Sequence, residues 1–155
     1  MQTEMISDAL GDAAQSVLET MFFVSPEGTA EPAYPQEVPL LGVGLTFSGE
    51  WSGTFELQTP ITSARTLAEG FVGTLDPSEV EGDKTTEVIC ELANMVCGST
   101  LTRLAGDKIF DLGSPHLVSL PPLPRVAAPA DSTATRALDL GFGVIAFTLT
   151  IGARE

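Results

Sequence analysis

In the stretch TTEVICELANMVCGSTLTRL, residues 85 to 104, the carboxylate of Glu91 and the carboxamide of Asn94 stand three residues apart, with Glu87 one turn before them. On a helix, residues three and four apart share a face. The spacing therefore sets an acid beside an amide, with no nucleophile near either. Elsewhere the chain lacks most catalytic vocabulary. His116 is the only histidine, so a Ser-His-Asp triad or a histidine metal site has at most one candidate. Cys90 and Cys97 fit no zinc spacing, and neither GxxxxGK[ST] nor GxGxxG occurs. The acids of DPSEVEGD match no EF-hand loop and read as a solvated turn. What remains is carboxylates, amides and shape.

The whole chain narrows the classes further. With 155 residues, 43% of them hydrophobic and 18% charged, it is long enough for one domain with a core, taken here as residues 1–155. Twenty-one acids against 7 basic residues give a net charge of −14. The basic residues are scattered, which argues against a nucleic-acid partner, since phosphate binding needs clustered Lys and Arg. The N-terminus MQTEMISDALGDAAQ carries acids where a signal peptide needs positive charge, and no apolar run reaches membrane-spanning length. A cytoplasmic protein without membrane insertion is expected. On one helix the two cysteines would lie about 10 Å apart, too far to bridge. Both are expected on the buried side, as inert thiols.

The elements that must position the acid and amide follow from periodicity. EMISDALGDAAQSVLETMFF places Met5, Ile6, Ala9, Leu10, Ala13, Val17, Leu18, Met21 and Phe22 at helical intervals, an amphipathic helix. VSPEGTAEPAYPQE reads as an exposed loop. Leu41, Val43, Leu45 and Phe47, then Trp51, Gly53, Phe55 and Leu57, alternate around the turn SGE and predict a β-hairpin with one buried face. TPITSARTLAEGFVG reads as a helix capped by Thr59 and Pro60. After the polar TLDPSEVEGDK comes the helix of the Glu–Asn pair, then short strands in KIFDLG and HLVSLP and a loop in PPLPRVAAPADS. Leu138, Leu140 and Phe142, then Ile145, Phe147, Leu149 and Ile151, predict a second hairpin. The consistent answer is one α+β domain, a mostly antiparallel sheet from two hairpins packed against long helices.

At 100° per residue, Ile89, Leu92, Ala93, Val96, Cys97, Thr100 and Leu104 gather on one side of the long helix. Lys84, Glu87, Glu91, Asn94, Gly98 and Thr102 form a polar ridge opposite. A mid-helix Asn gives up a few tenths of a kcal/mol, and Gly98 about 1 kcal/mol relative to Ala. With Met95 as an adaptable apolar contact at the ridge's edge, the set reads as a docking surface with two polar probes. Spacing alone also fits the plainer reading, the wet side of a half-buried helix.

TTEVICELANMVCGSTLTRLAGDKIFDLGSP resembles the signature segment of the CheC/CheX/FliY family of chemotaxis phosphatases: an E-x-x-N pair (Glu91, Asn94), then Gly98, then a downstream proline (Pro115). VGLTFSGEWSGTFELQTPITSARTLAEGFVG is similar to that family's hairpin and following helix. One such pair rather than two points toward CheX. Glu87 and Ser99 depart from the family's usual residues at those positions. The resemblance implies a CheX-like fold and hydrolysis of the aspartyl phosphate of a phosphorylated CheY-like response regulator. Asn94 would hold the attacking water and Glu91 would pair with the regulator's lysine, with Glu87, Met95, Gly98 and Pro115 docking the partner. No cofactor is then needed in this chain, because the Mg²⁺ belongs to the regulator. A homodimer is also expected, since VIAFTLTIGA would make an unusually apolar free edge. The competing expectation is a CheX-like module that grips a regulator or flagellar-switch component without hydrolysis.

Overall fold

A computed structural model describes residues 3–31, 38–72, 83–118 and 132–152. Among the described residues three helices, α1 (Thr3–Met21), α2 (Ile61–Val72) and α3 (Asp83–Ala105), accompany seven strands. These are β1 (Gly28–Ala30), β2 (Leu40–Gly49), β3 (Gly53–Pro60), β4 (Phe110–Leu112), β5 (His116–Leu117), β6 (Ser132–Asp139) and β7 (Val144–Ile151). They form one antiparallel sheet in the order β1-β6-β7-β3-β2-β4, with β5 also paired to β2. The fold is α+β, as the patterning implies.

Register sorts the sheet into two faces. Leu45 pairs with Phe55, Phe55 with Leu149, and Leu149 with Ala134, and the next row runs Val43, Leu57, Phe147, Arg136. This face meets the apolar sides of α1 and α3, where Ile6, Leu10, Leu18, Ile89, Leu92 and Leu101 are buried with Phe55, Leu57 and Phe147. Each such side chain stabilises the fold by about 1.5–3 kcal/mol through burial. Arg136 is the polar exception in its row. Its guanidinium donates to the Ser7 carbonyl (3.4 Å) and hydroxyl (3.3 Å) and lies 3.6 Å from Asp8. Gly11 makes room for it, since a Cβ there would sit 3.1 Å from Arg136 Cζ. The other face carries small and polar residues, including Ala137 and Ala146 in a row with Gln58, and the Thr135–Thr148 pair at 2.9 Å in a row with Glu56.

Several sequence expectations need correcting. Thr59 is not a helix cap. It ends β3, buried, and its hydroxyl donates to the Val144 carbonyl across the sheet. The segment after α1 contains β1, which pairs with β6. Phe142 sits in the turn between β6 and β7, 40% exposed, because β6 ends at Asp139, which pairs with Val144 and leaves 140–143 to the turn. Met5 and Met21 are exposed at the two ends of α1's stripe. Most consequentially, β7 is no edge. It lies between β3 and β6, so its apolar residues are covered within one copy and self-association needs another surface. Of the polar stretch expected at 74–84 and the loop expected at 121–132, residues 74–82 and 121–131 lie outside the described residues, while 83 and 84 open α3 and 132 opens β6.

The ends of two helices differ in a telling way. Gly106 closes α3 with φ 57° while its N–H donates to the Thr102 carbonyl. Past the end of α1 the left-handed position is held by Phe23, φ 59°, while the Phe22 and Val24 N–H groups both donate to the Leu18 carbonyl. Glycine takes that conformation freely, whereas a residue with a Cβ loses about 1–2 kcal/mol.

Candidate functional site

The helix turns as the spacing predicts. Ile89, Leu92, Ala93, Val96, Cys97 and Thr100 are buried and Leu104 is half-buried. Along the opposite ridge Lys84, Glu87, Glu91 and Thr102 are exposed, with Asn94 and Gly98 half-buried. Burial of the stripe under α1 and against the sheet makes α3 a rigid rod, so the ridge is held without help from its own side chains. None of Glu87, Glu91 and Asn94 is spent on a hydrogen bond or ion pair with another described residue.

Facing the ridge is the connection between β4 and β5. The Gly113 N–H donates to the Thr46 carbonyl at 2.7 Å and the Val118 N–H to the Gly42 carbonyl at 2.9 Å, pinning both sides of the loop to β2. Phe110 anchors the start of β4, edge-on to Phe47 (6.1 Å between centroids) and tilted on Trp51 (5.7 Å). An open hollow of about 480 Å³ results between loop and helix. Thr86, Glu87, Cys90, Glu91 and Asn94 line it from α3, and Leu112, Gly113, Ser114 and Pro115 from the loop. On the other flank of the ridge a second hollow, of about 400 Å³, is lined by Met21, Phe71, Glu87, Val88, Glu91 and Met95. Glu87 and Glu91 belong to both.

The two thiols part company. Burial pushes the Cys97 thiol up to about 12, in keeping with an inert core position. Cys90 is only half-buried and lines the polar hollow. Its pKa is raised by partial burial first and by the Glu87 carboxylate second. The expectation that both thiols lie inside fails for Cys90, which stands three residues after Glu87 and four before Asn94 and so shares their side. Among the described residues no three carboxylate, thiol or imidazole groups converge as metal ligands would.

The model of the chemotaxis phosphatase CheX family matches residues 42–134, more than half of the sequence. The chain belongs to the CheX family. Solved structures share its fold at low identity. A CheC-like superfamily protein from Shewanella sp. PV-4 superposes with a TM-score of 0.74 at 17% identity, over 99% of this chain and 100% of that one. CheX in the CheX–CheY–BeF₃–Mg²⁺ complex from Borrelia burgdorferi gives 0.70 at 19%, over 98% and 100%. The FliM middle domain from Vibrio alginolyticus gives 0.57 at 13%, over 96% and 92%. No curated protein matches the sequence.

Within this CheX-family chain, the structure gathers Glu87, Glu91, Asn94 and Pro115 around one hollow. Met95 belongs to the other hollow, and Gly98 lines neither. A Cβ on Gly98 would meet Leu112 Cδ2 at an ordinary 4.0 Å, so the flat spot lies beside β4. Sequence reasoning missed Cys90, Thr86, Gly113 and Ser114 at the polar hollow, and Met21, Phe71 and Val88 at the apolar one. Cys90 and Thr86 were available from the helical wheel. The others come from distant elements, and no local pattern announces them.

Proposed function

We propose that this chain docks a phosphorylated CheY-like response regulator and speeds hydrolysis of its aspartyl phosphate. The supporting observation is the polar hollow, where Glu91 and Asn94 stand without partners among the described residues, on a helix opposite the pinned Gly113–Pro115 loop. Family membership and the Borrelia relative's complex with CheY, beryllofluoride and Mg²⁺ favour the same partner class. In phosphoryl transfer the protein mainly positions groups and stabilises charge. The regulator would bring the acyl phosphate, Mg²⁺ and a lysine. Asn94 would orient a water in line with the scissile bond, its carbonyl oxygen accepting from the water and its NH₂ donating to a phosphoryl oxygen. The water oxygen bonds to phosphorus, the bond to the aspartyl oxygen breaks, and the water's proton leaves with inorganic phosphate. Glu91, one turn away, would hold the lysine through a charge-assisted bond. This chain then needs no nucleophile and no metal of its own. The reading carries with it a cytoplasmic location and leaves the homodimer as a separate proposal, testable by sedimentation against a 16.2 kDa monomer.

The test is the decay of a phosphorylated CheY-type receiver domain with and without the chain, expected to be faster with it. A second reading, docking without hydrolysis, is favoured by the fold shared with the FliM middle domain and by Glu87 and Ser99 at the departing positions. Binding without any acceleration would select it.

A further inference from the structure

We infer that the apolar hollow beside the ridge is the second half of the regulator-docking surface, taking an apolar side chain from the same partner whose phosphoryl group enters the polar hollow. This rests on the function proposed above. Met21, Phe71, Val88 and Met95 supply a lining of flexible and aromatic surface, and Glu87 and Glu91 form a lip common to both hollows. A helix with its side chains is about 10–12 Å across, so the two hollows lie roughly that far apart. One partner face of about 800 Å² covers both.

Two features of the α1 terminus, one in the wall of this hollow and one next to it in sequence, set the region apart from incidental surface. Phe71 is fixed from behind by Phe22, whose ring stacks on it at 4.7 Å and 29°, so that wall is built before any partner arrives. Next in sequence, Phe23 is 78% exposed and holds the left-handed backbone that α3 gives to Gly106. Among the described residues this ring gains little burial, on a backbone that disfavours a side chain. Strain of this kind points to a binding role. Met21, immediately before the Phe22–Phe23 pair, is 44% exposed and lines the hollow. Methionine and phenylalanine together accept aromatic or branched side chains well.

Charge selects the occupant. A second copy of this chain would set Glu87 and Glu91 against their counterparts, in a protein of net charge −14. The lip instead calls for a partner with a cationic group beside an apolar one. A regulator offering its lysine to Glu91 has that character, and an apolar residue one helix-width away would seat among Met21, Phe71, Val88 and Met95.

The experiment titrates the full chain with CheY-type receiver domains of the same organism, each activated with beryllofluoride and Mg²⁺. The chains compared are the parent, Phe23→Gly, Met21→Gln, the double variant, and Met5→Gln. Met5 is an exposed methionine on the same helix, about 24 Å from Met21 at 1.5 Å per residue. Each single variant should raise Kd several-fold and the double variant on the order of 10–50-fold, with KM for the phosphorylated domain rising in parallel. Thermal melts should show every variant folded, and Met5→Gln should bind like the parent. A double variant that binds as tightly as a binding, hydrolysing parent overturns the inference and leaves the phosphatase reading standing. Equal weakening by Met5→Gln also overturns it. A parent that neither binds nor hydrolyses any activated domain removes both readings together.

Discussion

The two hollows flanking α3 share Glu87 and Glu91 yet are built in opposite ways. The polar one joins a helix face to a loop held by backbone bonds to β2 and by the Phe47–Phe110–Trp51 cluster. The apolar one gathers the ends of α1 and α2 against the same helix, and its walls are side chains rather than pinned backbone. Backbone-pinned walls suit a site that must hold a reacting geometry to fractions of an ångström. Side-chain walls with two methionines tolerate variation in what they grip. Chemistry on one flank and adhesion on the other is the division the architecture suggests.

The strongest test of that division is Asn94→Ala. If the polar hollow houses the attacking water, the single-turnover rate should fall about 10²–10³-fold, roughly 2.7–4 kcal/mol, with docking nearly intact. A rate equal to the parent's would end the catalytic assignment. Next, Glu91→Ala should weaken both docking and rate, because the lip serves both hollows and its loss leaves a partner lysine without its counter-charge. Glu91→Gln should recover part of the docking, and a Glu91→Ala that lowers rate alone would confine Glu91 to the polar side. Glu87→Ala should matter less, mainly through a salt-dependent association rate.

A smaller effect sharpens the same contrast through stability. Phe23→Gly should raise unfolding free energy by about 0.5–1 kcal/mol, since relief of the left-handed backbone exceeds the entropy glycine adds to the unfolded chain. A lower melting temperature would mean that the Phe23 ring contributes to the fold. Last come the thiols. Cys90 should react with an alkylating reagent in the native state and Cys97 only after unfolding in urea. Because the Glu87 carboxylate helps raise the Cys90 pKa, Glu87→Gln should increase its thiolate fraction near pH 8 and speed its labelling modestly. Slower labelling in that variant would contradict the charge contribution.

Much of the fold was legible. Alternation in 41–57 placed Val43, Leu45, Phe47, Phe55 and Leu57 on one buried face, and the wheel of α3 sorted buried Ile89, Leu92 and Val96 from exposed Glu87 and Glu91. The failures have physical causes. Thr59 reads as a cap because Thr before Pro commonly is one, but a strand partner took its hydroxyl first. Cys90 was misplaced by treating thiols as core residues without weighing its position against Asn94. β7 was read as an edge because its own apolar run says how much it must bury and nothing about which strands do the burying.

The sequence by itself determined which residues share a face, since 3.6- and two-residue periods are properties of neighbours along the chain. It was enough to set Glu91 beside Asn94 and to mark the face they occupy. Only the tertiary structure decided what stands opposite: Pro115 and Gly113 across the polar hollow, Met21 and Phe71 around the apolar one. Those partners lie about 20 to 70 positions away from Glu91 in the sequence. They meet because β4 and β5 pair with β2 while α1 and α2 pack on α3, and such long-range choices are set by burying the most apolar surface while keeping buried polar groups hydrogen-bonded across the whole chain.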